Sequence, residues 1–311
     1  MRPSVAIDPA LPVRPFLKWA GGKRQLLREL RRFVPESFEA YHEPFLGSGA
    51  LFFDLWRYGR LEGHDAHLGD ANPDLVGVYR AIARDVEAVI GELRQLAEAH
   101  EDVGAEAYYR VRDDCFNPER RLRLSSSPPS YPARLAAMFI YLNRTGYNGL
   151  FRLNASGDFN VPVGRYTAPR ICDEETLRAA AAVLRSPSVT VHQRSFAEVG
   201  VAARPGDLVY FDPPYAPLSA TSRFTAYTPG SFSDEDQGAL QQLAVTLADR
   251  GCSVVVSNST ARVVTDLYKA PEARRAGLRA YRIPARRAIN SKGSKRGAIE
   301  EYIISNVTPL R

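Results

Sequence analysis

The chain has 311 residues, 45% apolar and 24% charged, with 41 Lys/Arg against 35 Asp/Glu. That length buries a sizeable core and admits two modest domains or one large one. Its three cysteines, Cys115, Cys172 and Cys252, stand far apart without a CxxC, which excludes a disulfide framework and argues against a cysteine-based zinc site. No apolar run is long enough to span a membrane, and the proline-bearing N-terminus lacks the apolar centre of a signal peptide, so a soluble protein of a reducing compartment is expected.

Residues 1–15 are rich in proline and charge and read as a loose extension. Leu26, Leu27, Leu30 and Phe33 then recur at helical spacing. Residues 39–45 read as a short strand, Gly47-Ser48-Gly49 as a turn, and 50–58 as a helix, together an α/β unit. A second short strand is expected over 66–69, ending at Asp70, followed by helical patterns from Leu75 to about Leu96 and from Ala105 to Phe116. Ser125 to Pro132 (SSSPPSYP) is linker-like. Beyond it come a helix over 133–142 and a region rich in Gly, Asn, Arg and aromatics from Asn143 to Tyr166. Strands are expected at 189–191, 207–211 (DLVYF), 252–256 and 299–305, with a helix from Ser233, its N-cap, to Arg250. The strands flank a middle segment without strong strand character, so the expected architecture is an α/β domain interrupted by a mainly helical module.

Three motifs bear on chemistry. In Glu43-Pro44-Phe45-Leu46-Gly47-Ser48-Gly49, two glycines after a strand let the backbone turn tightly and approach a ligand. The pyrophosphate fingerprint would need a third glycine where Phe52 stands, so a nucleoside cofactor without pyrophosphate fits better, with Asp70 placed to meet ribose hydroxyls. Lys18-Trp19-Ala20-Gly21-Gly22-Lys23 fails as a phosphate-binding loop, because Leu17 and Arg24 stand where glycine and Ser/Thr are required. Asp212-Pro213-Pro214-Tyr215 directly follows the DLVYF strand, where an open parallel sheet faces its ligand crevice. It offers a carboxylate, a stiffly held carbonyl and an aromatic face, which suits a planar amine with two N–H protons. His64 and His67 stand three apart without a supporting metal motif, and no metal site is expected.

These segments resemble the DNA adenine-N6 methyltransferase family, and closely its Dam branch, which modifies adenine in GATC. The resemblance is carried by FLKWAGGK at Phe16, EPFLGSG at Glu43, DANPDL at Asp70, LNRTGYNGLFRLNASGDFNVPVGRY from Leu142 to Tyr166, DPPYAPLSAT from Asp212, FTAY at Phe224 and SN at Ser257, in the family order. It implies a class I S-adenosylmethionine-dependent methyltransferase sheet flanked by helices, with an inserted, mainly helical DNA-recognition domain. The catalytic domain would comprise 1–73 and 173–311, and the recognition domain 74–172.

The resemblance also implies roles. Trp19, Lys23, Gly47, Gly49, Asp70 and Asp212 would bind S-adenosyl-L-methionine. Asp212, Pro213, Pro214 and Tyr215 would form the catalytic loop, with Tyr215 stacked on the extruded base. Lys18, Leu150, Arg152 and Pro162 would read GATC, Tyr147 and Asn148 would fill the space left by the flipped adenine, and Arg165 would meet a phosphate. Ser219 lies in the matching PLSAT loop. The departures are the N-terminal extension, the SSSPPSYP insert and Thr145, where the branch often has an aromatic.

Residue chemistry agrees with these roles. Hydrogen bonds from adenine N6 to Asp212 and the Pro213 carbonyl would free its lone pair, and the carboxylate would stabilise the charge developing on N6. A base inside a duplex is unreachable unless flipped, and Arg and Lys are the residue types that pair with guanine O6/N7. Residues 271–311 hold ten Lys/Arg and three Asp/Glu, so the net +6 resides in this stretch. Within it, Lys292, Lys295 and Arg296 belong to a Gly/Ser-interrupted basic tract suited to tracking phosphates. The expected partner is double-stranded DNA, with no membrane, and the chain is expected to be a cytoplasmic, nucleoid-associated monomer. Two rival readings are the modification half of a restriction system with another target, and a DNA-binding regulator that has lost catalysis. The intact DPPY and GSG sequences count against the second.

Overall fold

The computed structural model describes residues 13–127, 129–218, 232–286 and 298–310. A seven-stranded sheet runs through it: β1 Ala40–Glu43, β2 Asp65–Asp70, β3 Val189–Gln193, β4 Leu208–Phe211, β5 Ser253–Ser259, β6 Arg279–Arg286 and β7 Ala298–Ser305, in the order β3-β2-β1-β4-β5-β7-β6. The described residues divide into two compact units. One takes in 13–22, Gly47–Gly63 and Asn72–Gln193; the other takes in Lys23–Leu46, His64–Ala71 and the residues from Arg194 onward.

The second unit holds all strands but β3. β1 lies parallel to β2 and β4, and β4 parallel to β5, while β7 runs antiparallel between β5 and β6. Every residue of β4 is buried, as its unbroken Leu-Val-Tyr-Phe sequence requires of a strand covered on both faces. Val209, Phe211, Val254, Val256 and Ile304 form one core with Leu240, Ala244 and Leu247 of the helix Asp234–Asp249. That helix starts where the sequence places it. The Ser233 hydroxyl accepts from the Asp236 amide at 3.1 Å and the Asp236 carboxylate accepts from the Ser233 amide at 2.8 Å, a reciprocal capping box. β6 is a strand that the sequence pattern did not announce. Its Arg-Ala-Tyr-Arg-Ile-Pro-Ala-Arg sequence is charged and contains Pro284, which a strand tolerates at a sheet edge.

The first unit is mainly helical: Ala50–Arg57, Pro73–Arg84, Val86–Val103, Ala105–Arg110, Asn117–Leu124, Ala133–Thr145 and Glu174–Leu184. The single helical run expected from Leu75 is two helices, divided at Asp85, whose carboxylate accepts from the Ala88 amide and caps the second. The run from Ala105 passes through a π-helical stretch, Val111–Phe116, before continuing as Asn117–Leu124. Glu174–Leu184 lacked a clear signal because a run of alanines at its centre blurs the contrast between its buried and exposed faces.

The SSSPPSYP insert does more than loop outward. Tyr131 is buried and donates to Asp74 Oδ1 at 3.2 Å, and Gly77 leaves the room its ring needs. Asp74, fully buried, also accepts from Arg120 Nε at 2.8 Å. A buried carboxylate is tolerated only with such partners.

Replacing Ser233 by Ala removes one side of the capping box. The variant should lose about 1 kcal/mol of stability, read as a lower urea midpoint with an unchanged slope.

Candidate active site and recognition segment

β4 ends at Phe211, and the chain leaves the sheet as Asp212-Pro213-Pro214-Tyr215. Lys23, buried in the same unit, places Nζ 2.7 Å from Asp212 Oδ1 and 4.5 Å from the centre of the Tyr215 ring. The Asp212 side chain keeps 20% of its surface exposed. Burial pushes its carboxyl above the usual carboxylate range, the Lys23 ammonium pulls it back, and the Glu301 carboxylate nearby pushes it up again. Tyr215 Oη donates to Glu301 Oε2 at 2.7 Å, and burial keeps its phenol protonated, far above the ordinary tyrosine range. Beneath the loop, Tyr41 Oη donates to buried Glu43 Oε2 at 2.8 Å, and the Tyr210 and Ser257 hydroxyls bond at 3.0 Å.

The loop is fixed by an amide relay. Gln237 Nε2 donates to the Pro214 carbonyl at 3.1 Å, and Asn258 Nδ2 donates to Gln237 Oε1 at 2.8 Å. Asn258 Oδ1 accepts from the Ala216 amide at 3.4 Å, while Ser259 Oγ donates to the Ala216 carbonyl at 2.6 Å. Gln237 and Asn258 are both buried, so each amide is used rather than solvated. Among the described residues, none donates to the Pro213 carbonyl. The Asp212 carboxylate and this carbonyl are thus adjacent acceptors on a backbone that cannot easily move. The sequence motif supplied Asp212 and Tyr215. Ser257 and Asn258 stood in the quoted SN pair, but Gln237 and Glu301 carried no motif.

In the first unit, Gly47 and Gly49 adopt φ +48° and +62°, the left-handed backbone that the GSG turn foretold. A Cβ on Gly47 would lie 2.9 Å from Trp19 Cδ1, so the indole packs directly against the turn. Asp70, in the second unit, closes β2, and its carbonyl accepts from the Arg194 amide at 3.0 Å.

The segment from Tyr147 to Arg165 belongs wholly to the first unit and is held from behind. Asn117 exchanges two hydrogen bonds with the Phe159 backbone, at 3.0 and 2.8 Å. Tyr108 Oη and Arg112 Nη1 both donate to the Val161 carbonyl, and Arg120 Nη1 donates to the Gly157 carbonyl. The α–π–α run aims these side chains at the segment, and no sequence motif marked any of them. On its outer side Tyr147, Arg152, Pro162 and Arg165 are exposed, and Asn148 and Leu150 are partly exposed. Arg152 Nε donates to Asn160 Oδ1 at 2.7 Å. Asn148 has φ +55°, the one described non-glycine residue in the left-handed region, a strained backbone next to Tyr147. Lys18, remote in sequence, joins this segment. Its amide donates to Asn143 Oδ1 at 2.9 Å, its Nζ donates to the Arg144 carbonyl at 3.1 Å, and the same Nζ lies 3.8 Å over the Tyr166 ring. Burial and Arg144 lower its pKa below the ordinary lysine value. Thr145, the departure beside Tyr147, is buried with its hydroxyl donating to the Tyr141 carbonyl. Ser219, Lys292, Lys295 and Arg296 lie outside the described residues.

A seven-stranded sheet whose β2-β1-β4-β5 core is parallel, with the antiparallel β7 next to its last strand, is the architecture of a class I methyltransferase. Residues 19–288 match the family model described as D12 class N6 adenine-specific DNA methyltransferase, and the chain belongs to that family. It is 36% identical to the "Type II methyltransferase M1.LlaDCHI" of Lactococcus lactis subsp. cremoris, covering 94% of this chain and 95% of that protein. It is 37% identical to the "Type II methyltransferase M.MjaIII" of Methanocaldococcus jannaschii, over 95% of this chain and the whole of the relative. It is 36% identical to the "DNA adenine methylase" of Escherichia coli (strain K12), over 93% of this chain and 94% of that one. The chain is an adenine-specific DNA methyltransferase acting on DNA, and among its described residues no helix is long and apolar enough to cross a membrane.

Lys23 favours the ionised form of Asp212, the form that can accept hydrogen bonds. Lys23→Gln should let that carboxyl rise further, so the acid limb of the single-turnover rate should move to higher pH. A limb that stays in place or moves lower would show that Lys23 does not govern Asp212.

Proposed function

We propose that this chain methylates N6 of adenine in double-stranded DNA at GATC, with S-adenosylmethionine as donor, after the adenine is rotated out of the duplex. The observation that carries this reading is the acceptor pair formed by Asp212 and the Pro213 carbonyl, to which no described residue donates, on a loop held by Gln237, Asn258 and Ser259. Two acceptors match the two N–H protons of an exocyclic amine. Drawing on both protons moves N6 toward a tetrahedral form, and the Asp212 charge stabilises the cation that develops there. Tyr215 offers the face on which the extruded base stacks.

When bound, S-adenosylmethionine supplies an electrophilic methyl group on a sulfonium. Trp19, Lys23, Gly47, Gly49, Asp70 and Asp212 are the residues we assign to holding it. Each unit by itself carries residues suited to a nucleoside without pyrophosphate: in the first an indole lies against a left-handed glycine turn that a Cβ would fill, and in the second an acidic residue closes β2.

Residues 74–172 are assigned as the target-recognition domain, completed by Lys18. Arg152 and Lys18 would pair with guanine, and Leu150 and Pro162 would meet a thymine methyl. Tyr147, exposed beside the strained Asn148, is suited to fill the vacated stack. Arg165, Lys292, Lys295 and Arg296 would meet phosphates, and Ser219 is assigned to DNA binding. Acting on genomic duplexes, the chain would work as a monomer in the cytoplasm, at the nucleoid. Two relatives are named Type II methyltransferases. A chain paired with a nuclease would keep the chemistry of Asp212 and differ in what the 147–165 segment reads.

Asp212→Ala should abolish methyl transfer and leave duplex binding near the wild-type level; wild-type turnover would remove Asp212 from the reaction. Arg152→Ala should lose about 1–3 kcal/mol of discrimination at one base pair of the site. Equal weakening on all sequences would make Arg152 a phosphate contact.

A further inference from the structure

Glu301 lies on β7 opposite Ser259 of β5, apart from every motif that the sequence offers for this chemistry. Its carboxylate accepts from Tyr215 Oη at 2.7 Å. The relay through Gln237, Asn258 and Ser259 fixes the backbone of the Asp-Pro-Pro-Tyr loop but leaves the Tyr215 ring free to turn about its own side-chain bonds. A hydrogen bond at the far end of the ring removes that freedom, because swinging about Cα–Cβ would pull the hydroxyl off the carboxylate. A phenol donating to a carboxylate also makes the stronger, charge-assisted kind of bond. β7 is itself paired on both sides, by β5 and β6, so the anchor sits on a rigid element.

We infer that Glu301 is a positioning residue for the target base: through the Tyr215 hydroxyl it sets the plane on which the extruded adenine stacks. This rests on the function proposed above. It assigns the orientation of the base to a strand that contributes no group to the reaction. The bond can be removed from either side, and at a pH on the plateau above the acid limb, where Asp212 is ionised in every variant, the two removals should be equivalent.

The test uses the full chain with a duplex carrying one target site. It measures kcat and KM for methylation, and separately the emission of 2-aminopurine placed at the target position. Glu301→Ala should lower kcat about tenfold with a smaller change in KM, the loss of one charge-assisted hydrogen bond felt after binding. The 2-aminopurine should become brighter as stacking on Tyr215 loosens. Glu301→Gln, which keeps an acceptor, should recover most of the rate. Tyr215→Phe should match Glu301→Ala, and the double variant should be no slower than either single one. Wild-type kcat and emission in Glu301→Ala would overturn the inference, as would effects of the two substitutions that multiply. Should Glu301→Ala fail to fold, Tyr215→Phe breaks the same bond with β7 intact, and an unimpaired Tyr215→Phe would overturn it equally. The wild-type chain separates the two readings. If it places no methyl on adenine, the function proposal fails and takes this inference with it; if it is active while Glu301 is indifferent, only the inference fails.

Discussion

A carboxylate drawn out of water at the end of a fully buried strand is the constraint on which the second unit depends. Asp212 cannot be left half-buried without compensation. Lys23 supplies the opposite charge at 2.7 Å, and the parallel run of β1, β4 and β5 supplies a frame stiff enough to keep the group at the surface of the sheet. The surrounding polar groups then form a closed set. Tyr41 is bound to Glu43, Tyr210 to Ser257 and Tyr215 to Glu301. Each of these hydroxyls is engaged, and among the described residues none donates to the Pro213 carbonyl beside Asp212.

The 147–165 segment, proposed above to read DNA, meets a different constraint. Its outer side chains are exposed, so the backbone bearing them is fixed from the other side. Tyr108, Arg112, Asn117 and Arg120 do this by occupying backbone groups of Gly157, Phe159 and Val161. Arg120 is in turn held by the buried Asp74, which the insert reinforces through Tyr131. The insert is therefore tied into the scaffold behind the segment instead of adding to its exposed side.

Much of this was legible in the chain. The buried strands announced themselves because parallel strands covered on both faces are apolar, and the turn at Gly47 and Gly49 was legible because left-handed backbone admits few residue types. The family assignment followed from long motifs in a fixed order. β6 was hidden because an edge strand needs no apolar run, and Glu174–Leu184 because alanine gives weak contrast between its faces. Gln237 and Glu301 were hidden for a further reason. Each acts on the loop from an element distant in sequence, and a partner brought in by sheet order leaves no local pattern.

The site of methyl transfer is the most direct test of the proposed chemistry. Base-resolved mapping of modified duplexes, in which each position of GATC is varied in turn, should find N6-methyladenine at the adenine of intact GATC and a steep loss whenever a flanking base of the site is changed. Methyl groups on cytosine, or on adenine regardless of its neighbours, would contradict it.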